Sequence, residues 1–113
     1  MPLIYKIATT EQWQAAEALG RFEGAPIDLA DGYIHFSSAG TVRETAAKHF
    51  AGQEDLVLAA IDDASLGAAL KWEVSRDNTL FPHLYATLAL NDVAWVKPLP
   101  LGPDGHIFPG DLP

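Results

Sequence analysis

Apolar and polar positions alternate weakly over Leu3–Ala8, and this segment reads as an opening strand. Thr9 and Gln12 follow as a T-x-x-Q capping box, which supplies partners for the free N–H groups at a helix start, and Gly20 is placed to end that helix after Leu19. Gly24-Ala25-Pro26 reads as a turn. A second strand over Tyr33–Ser37 leaves the Asp31-Gly32 turn. Thr41 and Glu44 form another capping box, opening a second helix that runs to Phe50 with Val42, Ala46 and Phe50 as its apolar stripe. Leu56–Ile61 is apolar without interruption, the pattern of a buried central strand. Leu70–Ser75, Pro82–Leu88 and Val93–Lys97 read as three more strands, and prolines at 98, 100, 103, 109 and 113 make 98–113 an extended, non-helical tail. Two early helices followed by a run of strands predict an α+β fold with antiparallel sheet, not an alternating doubly wound one. At 113 residues the chain holds one domain, 1–113.

Alternation also sorts side chains by face, since residues two apart on a strand point the same way. Tyr33, His35 and Ser37 oppose Ile34 and Phe36; Lys71, Glu73 and Ser75 oppose Leu70, Trp72 and Val74; His83 and Tyr85 oppose Pro82 and Leu84. Lys6 stands between apolar Tyr5 and Ile7. A half-solvated sheet shows one polar face per strand as a matter of course. His35 and His83 stand out because aromatics flank both, in Y-I-H-F-S-S and F-P-H-L-Y, and aromatic–histidine clusters suit a concave pocket for planar ligands. A buried histidine bonded to backbone is the structural alternative. The polar chemistry is therefore concentrated in Asp31–Ser38 and Phe81–Tyr85.

Composition narrows the possibilities. The chain is 49% hydrophobic and 19% charged, with no cysteine, so disulfide, thiolate-metal and thiol-nucleophile chemistry are excluded. A net charge of −8, from 15 acids and 7 bases without a basic cluster, repels a phosphate backbone, and nucleic acid is not expected as a partner. Met1–Ile7 lacks a long apolar core of the signal-peptide kind, and no apolar run approaches the roughly 20 residues of a membrane helix, so a cytoplasmic location away from membranes is the expectation. Neither nucleotide-loop pattern, G-x-x-x-x-G-K-S/T or G-x-G-x-x-G, is present, nor a G-x-S-x-G elbow. Asp31, His35, Glu73 and His83 offer imidazole and carboxylate ligands, but no H-x-H, H-x-x-H or H-E-x-x-H spacing organises them, and no metal is assigned. His49 and His106 have no motif around them and read as surface residues.

The run D-G-Y-I-H-F-S-S, a helix, D-L-V-L-A-A-I-D and later F-P-H-L-Y resembles a bacterial family of unknown function over nearly the whole chain, from Ile4 to Gly105. A more distant likeness links Ile34-His35-Phe36-Ser37, a helix and Leu56–Asp62 to the V-H-L-S, helix, V-V-L-x-V-D stretch of the RNA 2′-phosphotransferases. That likeness implies the ADP-ribosyltransferase-like fold, two packed, mostly antiparallel sheets with an NAD-sized cleft between them. The Y-H-G-T of those enzymes corresponds here to Tyr5-Lys6-Ile7-Ala8, with lysine for histidine and isoleucine for glycine. The spacing motif around the catalytic glutamate of ADP-ribosylating toxins is missing around Glu73.

The resemblance implies a small-ligand-binding or catalytic domain acting on a nucleotide or ADP-ribose-like compound, with intact NAD bound no better than ADP-ribose because Ile7 fills the glycine position. His83 is then the candidate general acid or base, since histidine titrates near neutrality. His35 donates a hydrogen bond or proton and Glu73 orients a hydroxyl. Lys6 pairs with a phosphate or ribose oxygen. Ser37 and Ser38 hold an anion at the second helix, Phe81 and Tyr85 stack on a planar ring, and Tyr33 is a further ligand-binding residue. Two other readings stay open: a non-enzymatic binding or interaction module using the same cleft, and a metal-assisted hydrolase.

Overall fold

The computed structural model describes residues 2–75, 78–110 and 112; Met1 and Pro113 lie outside the described residues. β1 (Leu3–Thr9) passes into α1 (Thr10–Leu19) through the expected capping box. Thr9 Oγ1 accepts from the Gln12 N–H and Gln12 Oε1 accepts from the Thr9 N–H, both at 3.0 Å. Gly20, at φ 81°, ends the helix in the left-handed conformation that costs glycine least. Then come β2 (Arg21–Phe22), α2 (Pro26–Asp31), β3 (Ile34–His35), β4 (Ser37–Ser38), α3 (Val42–His49) and β5 (Leu56–Asp62). A 3-10 segment (Asp63–Ala69) leads to β6 (Leu70–Val74), β7 (Leu80–Leu84), β8 (Leu88–Ala89), β9 (Val93–Leu99), β10 (Leu101–Gly102) and β11 (Gly105–His106).

The result is a mixed α+β fold built on two main sheets, one of four strands in the order β4-β1-β5-β9 and one of three in the order β3-β7-β6. All their strand pairings are antiparallel. β5 is central, as its unbroken apolar run predicts, and the larger sheet is covered on both faces. Ile4, Ala8, Ala59 and Ile61 pack towards Trp13 and Ala16 of α1 and towards Ile34, Phe36 and Leu84. Tyr5, Ile7, Leu58 and Ala60 pack towards Val42 and Ala46 of α3. Among the described residues, no helix is long and apolar enough to cross a membrane.

Four local expectations are corrected. The segment read as a turn at Gly24–Pro26 opens a third helix, α2, with Pro26 at its first position, where a missing N–H costs nothing. The strand expected over Tyr33–Ser37 is divided at Phe36: β3 pairs with β7 in one sheet and β4 with β1 in the other. Thr41 does not cap α3, because its Oγ1 accepts from the Ser38 N–H at 3.1 Å and lies 3.0 Å from the Ser38 hydroxyl. Finally, β7 begins at Leu80, so Pro82 falls inside a central strand. The Pro82 carbonyl accepts from the Phe36 N–H at 3.0 Å, and a residue's N and C=O face the same neighbour in an antiparallel ladder. The nitrogen that cannot donate is thus turned to Phe36, just past the end of β3, and the pair keeps the one bond that Pro82 can make.

Candidate functional site

Pairing of β3 with β7 sets His35 directly opposite His83, and pairing of β7 with β6 sets Lys71 opposite His83 and Glu73 opposite Phe81. The outward face of the small sheet therefore gathers the residues that alternation sorted together. The two imidazole rings lie 5.6 Å apart, edge to face. Tyr33 stacks on His83 at 4.2 Å between centroids and lies 5.2 Å from Tyr85. His83 is 5% exposed, and its Nδ1 is 2.8 Å from Glu73 Oε1, a diagonal cross-strand contact. Tyr85 donates to the same oxygen at 2.7 Å. No bond engages His83 Nε2 among the described residues, and His83 lines a cleft of about 570 Å³, within the size range of small-molecule sites.

These contacts shift the groups that make them. The Tyr85 hydrogen bond, followed by that of His83, lowers the Glu73 carboxyl. In return the bond to Glu73 pushes the Tyr85 phenol up to about 12. Loss of solvation raises the Tyr33 phenol, with the charges of Asp31 and Glu73 adding to it.

A second set of bonds lies beneath His35. Its Nδ1 is 2.6 Å from Asp28 Oδ1 and its Nε2 is 2.9 Å from Asp31 Oδ2, so each ring nitrogen meets a carboxylate. Asp28 is 2% exposed and also accepts from the backbone N–H groups of Ala25 and His35. The Lys6 ammonium completes its shell, at 3.1 and 2.9 Å from the two oxygens. Burial raises the Asp28 carboxyl, but the His35 hydrogen bond and the Lys6 charge prevail and hold it down to about 2. Burial lowers the Lys6 amine, opposing the pull of Asp28. Three acceptors around Nζ, the two Asp28 oxygens and the His35 carbonyl at 3.0 Å, match the three N–H bonds of an ammonium, and the ionised pair is the state this geometry holds.

The expected residues thus divide. His35, His83, Phe81, Ser37 and Lys6 all line the cleft. Glu73 supports His83 from behind, while Tyr33 and Tyr85 line a smaller hollow nearby with Leu29 and Leu84. The role expected of Lys6 is corrected: its three N–H bonds are taken by Asp28 and His35, leaving none for a phosphate or ribose oxygen. The two serines expected at an anion site are separated. The Ser37 hydroxyl is 2.9 Å from that of Thr45, a turn inside α3, and Ser38 does not line the cleft. Trp72 and Val74, expected to pack, are 40% and 63% exposed, because edge strand β6 outruns the core beyond Leu70. Among the described residues, no group of three His, Asp or Glu side chains is placed to hold a metal.

Two residues were missed. Asp28 carries the whole network under His35; its signal is A-P-I-D, a proline at the first helical position with an acid two residues on, which marks a helix start. His49, read as an ordinary surface residue, is exposed on the cleft wall, so three of the four histidines line one cleft. His106 is half-buried, its Nε2 bonded at 2.8 Å to the Gln53 carbonyl.

Residues 7–96 match the family described as "Protein of unknown function (DUF952)", and the chain belongs to that family. The crystal structure of protein CC0527 from Caulobacter crescentus is similar at a TM-score of 0.91, with 50% sequence identity over 96% of each chain. A methionine double mutant of that protein gives the same values. Its solution NMR structure is similar at 0.84, with 51% identity over 94% of this chain and 91% of that one. No curated protein matches.

Proposed function

Starting from membership of a family with no assigned activity, we propose that the cleft is an acid–base site for a small planar ligand of the nucleotide or ADP-ribose class. The observation that carries this reading is His83: almost fully buried, fixed through Nδ1 by Glu73, with Nε2 left for the cleft. An imidazole held by a carboxylate at one nitrogen is set up to move a proton at the other. His35 lines the same cleft 5.6 Å from His83, its ring nitrogens meeting Asp28 and Asp31, and Phe36, Phe50 and Phe81 add apolar and aromatic wall. Two packed antiparallel sheets beside such a cleft are what an ADP-ribosyltransferase-like fold calls for. Ile7 in the cleft lining favours ADP-ribose over the added bulk of nicotinamide.

The test is titration with ADP-ribose, NAD and mononucleotides, followed by calorimetry and by the ring signals of His35 and His83. Binding of ADP-ribose, no gain for NAD, and turnover that disappears in His83→Gln with binding retained are expected. Silence toward every nucleotide would sink the reading. A second reading, a non-enzymatic docking module, is favoured by Ile27 beside the cleft and Leu29 beside the smaller hollow, which leave 63% and 66% of their surface exposed on α2. It predicts ligand affinity with no turnover in the wild type.

A further inference from the structure

The two carboxylates on His35 are held in very different ways. Asp28 is buried and fixed by the Ala25 and His35 N–H groups and the Lys6 ammonium in addition to the ring. Its bond to Nδ1 is a permanent part of the fold. Asp31 is the last residue of α2, its side chain is 43% exposed, and Nε2 of His35 is its one bonded partner among the described residues. Gly32 follows it at φ 85°. Both Asp31 and His35 line the cleft.

From this asymmetry we infer that Nε2 of His35 is a subsite for an oxyanion, closed in the free protein by the Asp31 carboxylate, which an incoming phosphoryl or carboxylate group displaces. The inference rests on the cleft being a ligand site, and it deepens that reading by naming what meets His35. The carboxylate oxygen stands 2.9 Å from Nε2, where a charge-assisted bond to a ligand oxygen forms. Among the described residues Lys6 is the sole Lys or Arg lining the cleft, and its N–H bonds are all taken. The chain's net −8 charge is otherwise hostile to anions, so an internal carboxylate that keeps the imidazole satisfied until a ligand arrives also filters out weak ones. The same exchange makes α2 responsive, because release of Asp31 frees the helix end while Asp28 holds its start.

The experiment compares wild type, Asp31→Asn and Glu23→Gln. The last removes an equal charge from the segment before α2, at a residue whose bonded partner is Arg21 rather than His35. Pyrophosphate and malonate are titrated separately, which distinguishes phosphoryl from carboxylate ligands. Affinity is followed by calorimetry, and the His35 ring nitrogens and Asp31 carboxyl carbon by NMR. Asp31→Asn should bind at least one of the two anions about tenfold more tightly than wild type, the effect of losing one charged hydrogen bond to a competitor. Glu23→Gln should change little, and in wild type the Asp31 carboxyl signal should move in step with the His35 signal. Equal gains in both variants would reduce the effect to overall charge and overturn the inference. So would anion binding that leaves the Asp31 signal still. Either result leaves the acid–base reading intact if ADP-ribose binds and His83 governs turnover; the reverse pattern separates the two the other way.

Discussion

His35 and His83 face each other across one strand pairing, each with a carboxylate on Nδ1, and they differ in almost everything behind that carboxylate. Asp28 lies in the interior, saturated by backbone, imidazole and ammonium donors. Glu73 stands on an edge strand with its side chain 38% exposed and takes two donors on a single oxygen. Equal hydrogen-bond chemistry thus has unequal energetic weight. A buried carboxylate that loses its function leaves charges with no water to replace it, whereas one at the rim is rescued by solvent. One histidine is tied into what holds the sheets together, and the other is free to act.

The most severe way to break this comparison is Asp28→Asn. It strands the Lys6 ammonium in the interior and should cost about 3–5 kcal/mol of stability by urea unfolding. A loss no larger than that of Glu73→Gln would erase the distinction. Acid titration gives a smaller effect of known sign. The Asp28 carboxyl sits at about 2 in place of the ordinary 3.8, so its contribution is fully present above the unfolded value and disappears as pH falls through the folded one. Roughly 2–3 kcal/mol should be lost between about pH 4 and pH 2, and Asp28→Asn should lack that step. The smallest effect sharpens the comparison from the other side. Glu73→Gln should leave stability unchanged while the Tyr85 phenol, held at about 12 by its bond to Glu73, titrates closer to 10. Phenolate absorbance, with Tyr85→Phe as the reference, reads this directly.

Period-two alternation was enough to bring Tyr33, His35, Glu73, His83 and Tyr85 together, because His35, Glu73 and His83 lie on paired strands, Tyr33 and Tyr85 directly flank them, and a strand's faces follow from its sequence. Alternation says which face a residue shares and nothing about what covers that face. Lys6 shows the limit: it lies on the side of Ile4 and Ala8, and both sides of β1 are buried, so its polar character announced an interior ion pair and not a ligand contact. Asp28 escaped because a six-residue helix has too short a period to register against a Gly-Ala-Pro turn signal. Phe36 gave no local hint of the strand division, since the choice of partner on either side of it is made by β1 and β7, distant in the chain. His49 stood on an exposed helix face whose neighbours across the cleft come from other segments.

That division at Phe36 has a mechanical side. One residue separates β3, in the small sheet, from β4, in the large one, whereas β5 reaches β6 only after the seven residues Asp63–Ala69. A sliding of one sheet over the other is absorbed by the longer connection but reaches Phe36 undiluted, through two torsion angles. Phe36 also forms part of the cleft wall. Its backbone is therefore the shortest tie between the two sheets, and it fixes the spacing between His35 on one side of the cleft wall and Ser37 on the other.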